Sequence, residues 1–194
     1  MKRLNQVPDN VLIHQFLEGN ESSLEELINR YKDKIYTSIL FLVRDKYLAE
    51  DLFQDSFIKI LDTIKSGRYN EEGKFLPWAT RIARNLCIDY FRKEKSKHTV
   101  VISDPADMYN LGYPNEETAE RRIIKGEETE QMFRMIDKLP PEQREVIILR
   151  HFGEMSFKEI AATMNCSLNT ALGRMRYGLI NLRKMMAPKQ VACK

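Results

Sequence analysis

Between Ser156 and Lys184 the sequence SFKEIAATMNCSLNTALGRMRYGLINLRK spells two helices and the joint between them. Ser156 is placed to cap the first helix. Its side-chain oxygen accepts a backbone N–H that would otherwise lack a partner, and Glu159, three residues on, completes a capping box. Phe157, Ile160, Ala161 and Met164 recur at helical spacing and are expected to face a core. Asn165 tolerates the left-handed backbone that ends a helix, and Ser167 is placed to cap the next one. Ala171, Met175, Leu179 and Leu182 form a second apolar stripe. A short helix, a tight joint and a longer basic helix match a helix-turn-helix, whose second helix enters the DNA major groove. An ordinary helical hairpin in an all-α domain has the same spacing, so the rest of the chain must decide.

At 194 residues the chain allows one or two domains, and an apolar share of 43% is enough to give each a core. Mean hydropathy is −0.46. No apolar run approaches the roughly 18 residues that read as a membrane span. The N-terminal MKRLNQVPDN is broken by Pro8, Asp9 and Asn10, so no signal peptide and a cytoplasmic location are expected. Cys87, Cys166 and Cys193 are far apart and form no CxxC pair. His14, His98 and His151 have no ligand-spaced neighbours. No metal and no cofactor are therefore expected.

Net charge is only +3, but its distribution is uneven. Glu159 is the last acid; beyond it stand Arg174, Arg176, Arg183, Lys184, Lys189 and Lys194. Another basic stretch runs from Lys74 to Lys97. Between them, Thr99 to Glu120 carries Asp104, Asp107, Glu116, Glu117 and Glu120 and no Lys or Arg. Basic, acidic, basic is the pattern of two nucleic-acid-facing modules and a linker that avoids the duplex.

Taken in order, Asp9 or Asn10 is expected to cap a first helix that ends at Gly19-Asn20. Ser22 or Ser23 starts a second, with Leu24, Leu27, Ile28, Tyr31, Ile35, Ile39, Leu42 and Val43 on its apolar face. A third spans Lys46 to Ser66, with Phe53, Phe57, Ile60, Leu61 and Ile64 buried. Glu50, Asp51, Gln54 and Asp55 gather in its N-terminal half. On residue chemistry alone, complementing the helix dipole is the favoured reading of those acids, ahead of a protein-docking face with Leu52 and Ile58. Gly67 to Leu76 is expected to be a loop, and Pro77 suits the first turn of a fourth helix. That helix carries Trp78, Ile82, Leu86, Tyr90, Ala79, Ala83 and Cys87 inward and Arg81, Arg84 and Arg92 on another face. An aromatic loop beside an Arg row has the parts of a single-strand site, cations for phosphates and rings for bases. Ser96 to Asn115 shows no helical period and reads as a linker, which places a domain boundary there. Asn115 caps a next helix weakened by Gly126, and EQREVIILRHF gives another with Val146, Ile147 and Leu149 buried. No strand pattern competes, so the expected fold is all-α, as two small helical domains.

AEDLFQDSFIKI at 49–60, FLPWATRIARNLCIDYFRKEK at 75–95 and LPPEQREVIILRHFGEMSFKEIAATMNCSLNTALGRMRYGLINLRK at 139–184 follow one another in a recognisable order. Together they resemble the bacterial extracytoplasmic-function (ECF) sigma factors of the sigma-70 family, over most of the chain. The resemblance implies a region 2-like domain at 1–95, a linker at 96–115, a region 4-like domain at 116–187 and a tail at 188–194. Regions 1.1 and 3 are expected to be missing. It implies core RNA polymerase as partner, through the clamp of the largest subunit and the flap of the second-largest, together with promoter DNA. An anti-sigma factor is a further partner known in the group.

Clamp contact falls on Glu50, Asp51, Leu52, Gln54, Asp55 and Ile58, which replaces the dipole reading of those acids. Recognition and melting of the −10 element falls on Tyr69, Asn70, Lys74, Phe75, Arg81, Arg84, Asn85 and Arg92, with Trp78 in the core beneath. The acidic linker would thread the polymerase cleft, where Asp104 and Asp107 mimic RNA phosphate. Contacts to the −35 element fall on Ser167, Asn169, Thr170, Leu172, Gly173, Arg174 and Arg176. Many relatives carry a Lys and a small polar residue where Leu172 and Gly173 stand, and an Arg where Tyr177 stands, so fewer charges reach the groove here. Thr170, Arg174 and Arg176 carry the expectation most directly, and Leu172 suits a thymine methyl.

Two other classes compete. A stand-alone dimeric helix-turn-helix regulator accounts for the C-terminal half but leaves the Asp51–Asp55 face and the aromatic loop without a role. An enzyme acting on nucleic acid needs a carboxylate cluster, and Asp51 and Asp55 have no further ligand nearby in sequence. No enzymatic activity is expected.

Overall fold

The computed structural model describes residues 7–70, 74–97 and 127–186. Among these residues there are eight helices and no strand, in two compact units. The expected linker, Asp104, Asp107, the Asn115 cap and Gly126 lie outside the described residues.

The first unit comprises α1 (Asp9–Leu17), α2 (Glu21–Val43), α3 (Lys46–Lys65) and α4 (Phe75–Lys97). Asp9 does not cap α1; Pro8 precedes the helix and offers no side-chain cap. The Asp9 carboxylate reaches α2 instead. One oxygen accepts from Arg30 Nη1 and the other from the Tyr31 hydroxyl, both at 2.7 Å. Gly19, at φ 101°, turns the chain out of α1 in a conformation that carries little penalty without a Cβ. Nor do Ser22 and Ser23 start α2. Asn20 does, accepting from the Ser22 N–H at 3.1 Å, while Ser23 is buried and donates to Gln15. Two residues join α2 to α3. Arg44 is left-handed, and Asp45 caps α3 by accepting from the Leu48 N–H at 2.8 Å.

α4 packs against both α2 and α3. Ala79, Ala83 and Cys87 are wholly buried on it, and their small side chains let the helices approach closely. Leu27, Ile35 and Ile39 of α2 and Ile60 and Ile64 of α3 fill the remaining core. Trp78, Ile82, Leu86 and Tyr90, expected inside, are half-buried and flank it. Because α4 is covered on two sides, its buried face widens to take in Thr80, Arg84 and Phe91. The α3 face runs through Ala49, Leu52, Ser56, Phe57, Ile60 and Ile64, with Phe53 and Leu61 half-buried beside it.

The second unit comprises α5 (Glu127–Asp137), α6 (Pro141–His151), α7 (Phe157–Thr163) and α8 (Leu168–Met186). Pro141 opens α6, where its missing N–H costs nothing. Val146, Leu149, Met155, Ile160, Ala161 and Ala171 form the core, ringed by Phe157, Met164, Cys166 and Met175. Arg144 is buried too and donates to the Asp137 carbonyl at 3.2 Å, which ties α6 to the end of α5. Gly178 is buried where α8 meets α6; a Cβ there would stand 2.9 Å from Ile147 Cδ1. This crossing shifts the inward face of α8, so Leu179, expected inside, is exposed.

Candidate nucleic-acid and protein-docking faces

The helix-turn-helix forms from the local signals expected of it. Ser156 and Glu159 make the reciprocal capping box, with Ser156 N–H donating to Glu159 at 2.6 Å and Glu159 N–H to Ser156 Oγ at 3.3 Å. Asn165 takes φ 49°, and the Cys166 N–H returns to the Ala161 carbonyl at 2.9 Å. Ser167 Oγ accepts from the Thr170 N–H at 3.0 Å and bonds the Thr170 hydroxyl at 2.8 Å. The first turn of α8 is thereby fixed and left open to solvent. Ser167, Asn169, Thr170, Leu172 and Arg176 are exposed, and Gly173 and Arg174 are half-buried. Nothing lies within 4 Å of the place a Gly173 Cβ would occupy. A helix N-terminus with exposed hydroxyls, an amide and cations suits a phosphate backbone and base edges. Beside it an open groove of about 490 Å³ is lined by Phe157, Leu172, Met175, Leu179 and Ile180 together with Arg176 and Arg183.

On α3 the geometry tests the dipole reading of the acids. The cap is Asp45, and the first turn contains no acid. Glu50, Asp51 and Asp55 stand beyond that turn, where the helix dipole has little effect. They are exposed on one stripe with Gln54 and Ile58, and Ile58 is 59% exposed. Tyr47, 74% exposed, extends the same stripe. The sequence reading missed Tyr47; its signal was an aromatic residue three and four positions before Glu50 and Asp51, off the buried spacing. Leu52 does not belong to this face. It is 5% exposed and sits in the core stripe.

The segment before α4 is aromatic but largely folded inward. Phe75 is the first residue of α4 rather than part of the loop, and it is 1% exposed. Its ring packs on Tyr31 at 5.5 Å, Trp78 at 5.8 Å and Tyr69 at 6.4 Å between centroids. Tyr69 and Trp78, both half-buried, meet edge to face at 4.5 Å. Asn70 and Lys74 are exposed beside them. Arg81, Asn85 and Arg92 form an exposed row on α4, Arg92 paired with Asp89 at 2.9 Å. Arg84 leaves the row. It is 8% exposed and engaged within the protein, because α3 and α2 cover that side of α4.

Comparison with known proteins places the chain in a family. Residues 27–97 match the family described as Sigma-70 region 2, and residues 129–172 match Sigma-70, region 4. The chain is 31% identical over 178 residues to the ECF RNA polymerase sigma factor SigW of Bacillus subtilis (strain 168), covering 90% of this chain and 94% of that one. The chain belongs to the ECF RNA polymerase sigma factors. The sigma factor SigM of the same organism is 32% identical over 145 residues, covering 75% of this chain and 83% of that one. The fold is shared with the sigma factor RpoE of Bartonella quintana, solved in complex with the anti-sigma factor NepR. The TM-score is 0.62 at 18% identity, covering 86% of this chain and 98% of that one.

In sigma-factor terms, the α3 stripe and the Tyr69–Arg92 segment both fall inside the region 2 match, while α1 and Asp9 precede it. The region 4 match ends at Leu172, so Gly173, Arg174 and Arg176 lie just beyond it. Among the described residues no group of three or more His, Cys, Asp or Glu is placed to hold a metal ion. No described helix is long and apolar enough to cross a membrane.

Proposed function

We propose that this sigma factor directs core RNA polymerase to promoters through three faces of its own chain. Glu50, Asp51, Gln54, Asp55 and Ile58, with Tyr47 added, dock on the clamp of the largest subunit. The acids supply charge for a basic surface, and Ile58 and Tyr47 supply apolar area at either end of the stripe. Leu52 supports that face from below. Tyr69, Asn70 and Lys74 meet the −10 element, and Arg81, Asn85 and Arg92 hold the neighbouring strand. Bases leaving the stack need a pocket that reads their edges and rings to rest on. Phe75 and Arg84 act from within, as support. Ser167, Asn169, Thr170, Leu172, Gly173, Arg174 and Arg176 face the −35 element in the major groove. The apolar groove beside Leu172 seats the flap of the second-largest subunit.

The division into a domain at 1–95, a linker at 96–115, a domain at 116–187 and a tail at 188–194 belongs to the same proposal. So do action in the cytoplasm, where core polymerase works, and control by an anti-sigma factor. The support for that control is a solved sigma factor of the same fold captured with one.

The observation that carries the reading is the presence of both sigma regions on one chain, each with an exposed face apart from its core. A stand-alone regulator would use the second region alone. Run-off transcription with purified core polymerase on a panel of genomic promoters tests it. Promoter-specific transcripts are expected, and their absence across the panel would sink the reading. Asp51→Arg combined with Asp55→Arg should abolish co-purification with core polymerase at unchanged helicity. Retained co-purification would refute the placement of the clamp contact.

A further inference from the structure

Four aromatic rings connect the α1–α2 contact to the loop assigned to the −10 element. Tyr31 packs on Phe75, and Phe75 packs on both Trp78 and Tyr69. Phe75 is 1% exposed, so it meets no DNA itself. It is enclosed by rings on both sides, and close-packed interiors pass displacements on rather than absorbing them. At the far end of this row the Tyr31 hydroxyl donates to Asp9 Oδ2 at 2.7 Å. Asp9 is held in turn through its other oxygen by Arg30, which also donates to the Val7 carbonyl at 2.9 Å. α1 has anchors independent of the Asp9 carboxylate in the buried Leu12 and Ile13 and in the hydrogen bond from Arg30 to the Val7 carbonyl. The Tyr31 hydroxyl is thus a tether on its own ring: it fixes where the ring stands against Phe75.

We propose that Tyr31, held by Asp9, is a positioning residue for the −10 contact: it sets the Phe75–Trp78–Tyr69 cluster on which an unstacked base is received. This rests on the reading of Tyr69 and Asn70 as −10 contacts. It assigns to α1, which lies before the region 2 match, a part in promoter opening. Trp78 is the chain's single tryptophan and touches Tyr69, so its emission reports the cluster directly.

The test uses the full chain with core polymerase on a promoter identified by run-off transcription, carrying 2-aminopurine in its −10 element. Tyr31→Phe keeps the ring and removes only the tether; Asp9→Asn keeps the shape and removes the charge. Each is expected to slow opening by about threefold to tenfold, within the coupling carried through packed networks. Affinity for core polymerase should stay at wild type, and Trp78 emission should shift. Tyr69→Ala serves as the reference. Wild-type opening and emission in both tether variants, with Tyr69→Ala defective, would overturn this inference and leave the −10 assignment standing. Wild-type opening in Tyr69→Ala would overturn that assignment and the inference with it. Loss of opening and of core binding together would mark a general structural role and overturn positioning.

Discussion

Leu52, Phe75 and Arg84 show what a single side chain can and cannot reveal in sequence. Each stands next to a residue that does face outward, and each is turned inward by packing with another helix. Arg84 is the instructive case, since a buried Arg runs against every compositional expectation. Tyr31 likewise looks like one more apolar residue on α2, yet its hydroxyl reaches a carboxylate 22 residues earlier in the chain. Burial, together with the hydrogen bond to Asp9 and its charge, raises the Tyr31 pKa above the ordinary tyrosine value. The folded protein therefore keeps a proton that the unfolded chain releases. The stability this contributes is complete below about pH 10 and is lost as pH climbs through the higher folded-state value. Denaturant midpoints at pH 9 and pH 11 should fall more in the wild type than in Tyr31→Phe. On the proposed DNA face, Arg176→Ala should weaken binding to a −35 duplex by about 1–3 kcal/mol if the guanidinium meets a base edge. Contact with phosphate alone predicts a smaller loss and a salt slope reduced by about one. Titrations at two or more salt concentrations separate the outcomes.

Helix ends were legible where their partners are close in sequence. The Ser156–Glu159 box, the left-handed Asn165 and the Ser167 cap are all formed within three residues of the signal, and all stand as the sequence spells them. The start of α1 was not legible, because the Asp9 carboxylate is claimed by Arg30 and Tyr31 of α2. Periodicity gave the existence of α2, α3 and α4 and their main buried positions. It erred at the margins of α4, where cover from two helices widens the inward face, and at Leu179, where Gly178 sets the crossing. The proposed −10 and −35 faces came from resemblance more than from residue chemistry; the exposed Tyr47 on the α3 stripe came from neither. For the joint itself, Ser156→Ala should destabilise the second unit by about 1 kcal/mol, since it frees a helix-end N–H and breaks a reciprocal pair. Thermal unfolding followed by circular dichroism would measure it, and an unchanged midpoint would show the box to be idle.

At the scale of the whole chain, each unit closes its own hydrophobic core. A fragment spanning 127–194 should therefore unfold cooperatively by itself, with a helical signal that a scan in denaturant can follow. A gradual, non-cooperative loss of signal would show that its core depends on the rest of the chain. On the proposed reading, the surface of that unit also limits how a promoter preference can change over generations. Leu172 borders both the exposed row of α8 and the apolar groove, so a substitution there would alter both of the proposed interfaces at once. Its neighbour Gly173 has open space around it and does not line that groove. If the proposed −35 contacts hold, lineages descended from this chain have an unencumbered site for drift in DNA preference at position 173, and a pleiotropic one immediately before it.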